Sequence, residues 1–147
     1  MNEIVWIYII DSSGATIFSY NNYVQGNSEV DSALLSHFVY ALLSVAKNIG
    51  EDEIKKVAID KNKFFLIKEK LTSYIFILKT KPNAKFEIIE PILKKIKKRF
   101  IEKFTGHFTL PVQDKLKLLK SFEQDVKRII EGKNHLIDLV DTLSKKN

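Results

Sequence analysis

Residues 4–20 read IVWIYIIDSSGATIFSY, and the placement of this stretch decides the fold. Ile4 to Ile10 is apolar at every position. A strand with one face in water alternates apolar and polar residues, whereas a continuous apolar run of this length suits a strand buried on both faces. Asp11-Ser12-Ser13-Gly14 reads as a tight turn, with Gly14 supplying the positive φ that hairpin turns demand. Residues 15–20 then form a more polar second strand. The chain thus opens on a hairpin whose first strand belongs in the middle of a sheet.

The 147 residues fit a single domain. A hydrophobic share of 45% against 29% charged residues is enough for a core, and it argues against disorder. With no cysteine, disulfide frameworks, thiolate nucleophiles and Cys-ligated zinc are excluded. The N-terminal apolar run lacks a basic flank and a small-residue cleavage pattern, so it is not read as a signal peptide. No run approaches the roughly 20 apolar residues of a spanning helix. The expected location is cytoplasmic, with peripheral contact at membranes as an extension of that reading. The net charge of +6 is uneven. Residues 1–60 hold 3 Lys+Arg and 8 Asp+Glu, residues 61–147 hold 21 and 10, and a basic face is expected in the C-terminal half.

Leu34, Phe38, Leu42, Val45 and Ile49 recur at helical spacing and predict a first helix over about 30–49, with Gly50 as its C′ residue. Three strands are expected next, in EIKKVAIDK (53–61), KFFLIKEK (63–70) and SYIFILKT (73–80), separated by short breaks as in a meander. KPNAKFEIIEPILKKIKKRFIEKF (81–104) predicts a helix with Ile89, Leu93, Ile96, Phe100 and Phe104 as its stripe. Pro91 either sets its start near Glu90 or kinks it. A last helix is expected over about 112–131, with Leu116, Leu119, Phe122, Val126 and Ile129 on one face. Gly106 and Gly132 are read as closing these two helices, and a short helical tail is expected over 132–147.

The element order is β-β-α-β-β-β-α-α. The two strands apolar on both faces, 4–10 and 74–78, belong side by side at the centre, with 15–20 and 54–60 at the edges. The expected sheet order is 2-1-5-4-3, antiparallel throughout. Helices on both faces make an α+β fold in three layers, α/β/α.

Together, IVWIYIIDSSGATIFSY, the helix LLSHFVYALLSVAKNIG (34–50) and the meander EIKKVAIDKNKFFLIKEKLTSYIFILKT (53–80) resemble the longin domain. The likeness covers residues 1–131 and is one of pattern, without a catalytic signature. The related roadblock fold normally places a helix before its first strand, and the chain leaves no room for one. A longin SNARE would continue into a heptad segment and a membrane anchor. Here a short tail ends in LSKKN, so a free-standing longin-like protein is expected. The resemblance implies a non-enzymatic platform for a small GTPase, or for longin or roadblock subunits, in trafficking-type machinery.

The residues offer little chemistry. His37, His107 and His135 fall in three elements with nothing to make them converge, and Asp125, Glu131 and Asp138 are not brought together by spacing. Asp11–Gly14 lacks the glycine spacing and following helix of a phosphate loop. Neither catalytic residues, nor a metal site, nor a cofactor is expected, and enzymatic activity is disfavoured. Two surfaces are candidates for binding. Ser36, Tyr40, Leu43 and Lys47 fall opposite the buried stripe of the first helix, and with Lys55 and Lys56 on the neighbouring edge strand they form an expected partner surface, including for a second copy of the chain. KKIKKRF (94–100) puts Lys94, Lys95, Lys97, Lys98 and Arg99 around an apolar stripe. The plain reading is a solvated face. The functional alternative is a basic patch for anionic membrane, or for nucleic acid, the latter disfavoured because no base-stacking aromatic motif accompanies it.

Overall fold

The computed structural model describes residues 3–22, 38, 39, 41–50, 53–59, 61–107 and 109–146, the last fourteen by backbone alone. Five strands form one antiparallel sheet: β1 (Ile4–Ile10), β2 (Thr16–Asn21), β3 (Ile54–Ile59), β4 (Asn62–Lys68) and β5 (Ile75–Thr80). Their spatial order is β2-β1-β5-β4-β3. β1 pairs on one side with β2, Tyr8 opposite Ser19, and on the other with β5, Tyr8 opposite Ile77. Every β1 residue except Val5 is buried. The expected topology and element order therefore hold, with strand ends shifted by one or two residues. The first helix, α1, is described at residues 38, 39 and 41–46.

Two compact units divide inside the next helix, at Leu93/Lys94. The first, residues 2–93, holds the sheet, α1 and the start of α2 (Phe86–Phe104). Alternation along the strands sends Trp6, Tyr8, Ile10, Phe64, Leu66, Ile75 and Ile77 to one face, where Leu42, Ala46 and Ile49 of α1 pack on them. Trp6 meets Tyr8 edge-on at 4.6 Å between ring centroids. Ile7, Ile9, Phe65, Ile67, Phe76 and Leu78 point the other way and are all fully buried. The start of α2 lies on that face, with Phe86 6.3 Å from Phe65. Lys63 fixes the approach: its Nζ donates to the Ala84 carbonyl at 2.7 Å and lies 5.5 Å above the Phe65 ring. Helices thus cover both faces of the sheet within this unit.

Two carboxylates organise its turns. Asp11 Oδ1 accepts from Ser13 N–H at 2.9 Å, Ser13 Oγ–H at 2.6 Å and Ala15 N–H at 3.0 Å. Glu69, buried between β4 and β5, accepts from Leu71 N–H at 3.0 Å and from Thr72 N–H and Oγ–H at 2.7 Å each. Local side-chain acceptors of this kind satisfy amides that a tight turn strips of ladder partners.

The second unit, from residue 94 onward, contains the rest of α2 and α3 (Val112–Lys146). Phe100, Phe104 and Phe122 form its aromatic centre, with Phe100 stacked on Phe104 at 4.5 Å and edge-on to Phe122 at 5.3 Å. Gly106 adopts φ +82 and ends α2, as expected of it. Gly132 does not end α3, which runs on to Lys146. Leu136, Leu139, Val140 and Leu143 keep the helical period beyond it, and an interior glycine costs only about 1 kcal/mol. Nor does Pro91 delay α2, which is helical from Phe86 through it. Gly50 is not in the left-handed region; residues 48 and 49 instead close α1 by bonding to the carbonyls of Val45 and Ala46.

Opposite effects are expected from one substitution made at two glycines. Gly14 has φ +92, and a Cβ there would stand 3.2 Å from Val39 Cγ2 and 3.3 Å from Leu43 Cδ1. Gly14→Ala should destabilise by about 1–2 kcal/mol. Gly132→Ala, with nothing near the added Cβ, should stabilise by about 0.5–1 kcal/mol. Urea midpoints check both signs, and a destabilising Gly132→Ala would contradict a helix continuous through that position.

Candidate functional site

The edge strand β3 is the first candidate. Lys55, Lys56 and Ala58 are exposed, and Ile54, Val57 and Ile59 are half-buried. Consecutive strand residues point to opposite faces, so Lys55, opposite Leu66, lies on the α1 side, while Lys56, opposite Phe65, lies on the other. Lys47 is exposed on the turn after α1. Leu43 is half-buried and packs on the core; its Cδ1 overhangs Gly14 at the β1–β2 turn, away from β3. Ser36 and Tyr40 lie outside the described residues. The described members of this candidate surface are therefore spread over several places, with the edge itself the continuous feature.

The basic run on α2 is the second. Lys94, Lys95 and Lys98 are exposed, and Lys97 is half-buried. Arg99 is differently placed: its Nε donates to Asp125 Oδ2 of α3 at 3.0 Å. Lys103 Nζ reaches the same oxygen at 2.5 Å and also donates to Ser121 Oγ, and Arg128 Nη1 lies 3.6 Å from Oδ1. The Asp125 side chain is only 9% exposed and that of Lys103 11%. Burial pushes the Asp125 carboxyl up. The hydrogen bonds and charges of Lys103 and Arg99 outweigh that and hold it below the usual carboxylate range. Arg99 thus serves the α2–α3 joint, leaving Lys94, Lys95 and Lys98 as the outward cations of the run. The sequence held a signal for this joint: Asp125 sits beside Phe122 and Val126 on an apolar stripe, and Arg99 and Lys103 are spaced i,i+4.

Elsewhere the chemistry is spoken for. In the Asp11–Gly14 turn the Ser13 amide and hydroxyl donate to Asp11's own carboxylate and the Gly14 amide to the Asp11 carbonyl; the Ser13 side-chain bond, with amide bonds from Ala15 and Ser13, lowers the Asp11 pKa despite desolvation. His107 is exposed; His37 lies outside the described residues, as do the side chains of His135 and Asp138. Glu131 is exposed and Asp125 faces cations. Among the described residues no three His, Asp or Glu side chains gather, and no helix is long and apolar enough to cross a membrane.

No protein-family model and no curated protein matches the sequence. Among solved structures the chain is similar to the roadblock/LC7 domain from Streptomyces avermitilis, at 10% identity and a TM-score of 0.43, over 67% of this chain and 87% of that one. The topology rests on the strand pairing itself.

The ion cluster makes a prediction. Asp125→Ala strands Lys103 with little solvent and should cost about 3–5 kcal/mol. Because the folded carboxyl titrates below its unfolded value of about 3.9, its contribution is present above that pH and fades as pH falls through the folded value. Acid unfolding of the wild type should therefore be steeper below about pH 4 than that of Asp125→Asn. Parallel curves would contradict the assignment.

Proposed function

We propose that this chain is a non-enzymatic interaction module with a longin-like fold, docking a protein partner along the open edge β3. The partner class is a small GTPase or another longin- or roadblock-type subunit of trafficking-type machinery, a second copy of this chain included. The observation that carries the reading is the position of β3. It ends the sheet with no strand beyond it among the described residues, and it carries two exposed lysines. An unpaired edge offers a row of backbone donors and acceptors to an added strand. Lysines at such an edge discourage indiscriminate pairing and favour an acidic complement. The half-buried Ile54, Val57 and Ile59 give the added element apolar contacts.

The absence of native cysteine makes the test clean. In Ala58→Cys the introduced thiol is the only one in the chain and sits on the exposed edge. If a second copy docks there, light scattering gives twice the monomer mass and a short bifunctional thiol reagent links the pair. If the partner is a GTPase or another subunit, the purified complex shields the thiol from alkylation, and Lys55→Glu with Lys56→Glu weakens the complex. A monomeric chain whose thiol reacts equally fast free and in complex with its partner would overturn the proposal.

A further inference from the structure

The first two turns of α3 expose apolar side chains: Leu116, expected at the head of the helix's apolar stripe, is not buried, and the buried stripe runs through Phe122, Val126 and Ile130. Val112 is 73% exposed and Leu116 56%. Four residues apart, they share one face of the helix, next to exposed Pro111. Lys115 is half-buried beside them, and Lys117 and Lys120 are exposed. Asp114 is two residues from each apolar side chain, about 200° around the helix from both. Along the same face the ridge ends at Glu123, which Lys120 and Lys127 flank at i−3 and i+4. The unit that carries the ridge is strongly basic. Residues 94–147 hold 14 Lys+Arg and 7 Asp+Glu, whereas residues 1–93 hold 10 and 11.

We infer that this ridge is an interfacial contact with an anionic lipid bilayer, with Val112 and Leu116 entering the headgroup–acyl boundary and Lys117 and Lys120 lying at the headgroups. The side chains select the occupant. Unlike the edge β3, a helix face has no open backbone ladder for a partner strand, and without one lysine is depleted from protein–protein interfaces and valine and leucine are under-represented among their hot spots. Single-stranded nucleic acid is held by stacking on aromatic rings, and the exposed side chains of the ridge are aliphatic. Aliphatic tips flanked by lysine, in a unit with twice as many basic as acidic residues, are what a bilayer with acidic headgroups takes. The outward Lys94, Lys95 and Lys98 belong to the same unit and add to the attraction at low salt. The ridge is separate from β3 in residues and in unit, so either proposal stands without the other.

The test uses the full chain with vesicles of phosphatidylcholine alone and of phosphatidylcholine mixed with phosphatidylserine. Wild type should co-sediment with the mixed vesicles at low salt and not with the neutral ones. The double variant Val112→Ser, Leu116→Ser should lose about tenfold or more in partition coefficient, and Lys117→Gln with Lys120→Gln several-fold. Circular dichroism checks folding. Leu116→Trp gives an independent readout: the native Trp6 is fully buried, so an emission blue shift on mixed vesicles reports the new indole entering the boundary. Wild type that ignores mixed vesicles would overturn the inference. So would a folded serine double variant that binds undiminished, a bound Leu116→Trp with no shift, or preference for a single-stranded oligonucleotide over the mixed vesicles.

Discussion

β1 is hydrogen-bonded along both edges and packed on both faces, and that double demand organises the first unit. A strand of seven apolar residues cannot sit at an edge or face water without leaving large side chains and backbone groups exposed. Local hairpin geometry gives it β2 on one side. The other side takes a second strand that is also buried on both faces, β5, with Ile75 to Leu78 all buried; β4, likewise buried from Phe64 to Ile67, lines the far edge of β5. Once β5 is beside β1, the short turns of the meander place β4 next and β3 last. The open edge, on which the proposed function rests, is thus a consequence of how the centre is filled.

These elements were legible in the sequence because period and turn chemistry agreed. The apolar run, the Asp-Ser-Ser-Gly turn and the short breaks of the meander each point to the same pairing. Glycine was less informative by itself. Gly106 and Gly132 look alike in the sequence, yet one terminates a helix in the left-handed region and the other lies inside α3. The apolar period after each decides the difference. Pro91 was similarly ambiguous, and the helix accommodates it.

Candidate site residues were harder to place, since spacing along one helix does not say what lies across from it. Leu43 falls opposite the buried stripe by angle alone, but the β1–β2 turn comes back over the helix at Gly14 and half-buries it. Arg99 looked like one more cation of a basic run until α3 brought Asp125 to it. Glu69 stands between Lys68 and Lys70 with nothing in the sequence to single it out, while in the fold its carboxylate accepts from the amides of the β4–β5 turn. In each case the deciding contact is non-local or belongs to a turn, and composition carries no trace of it.

Native-state hydrogen exchange tests the central claim most directly, because it ranks strands by how much must open to expose them. The account predicts that the amides of β1 and β5 exchange last and together, through opening of the whole sheet unit, while those of β2 and β3 exchange earlier from their free edges. Amides of β1 exchanging as early as those of β2 and β3, with protection concentrated elsewhere, would contradict a sheet built around that strand.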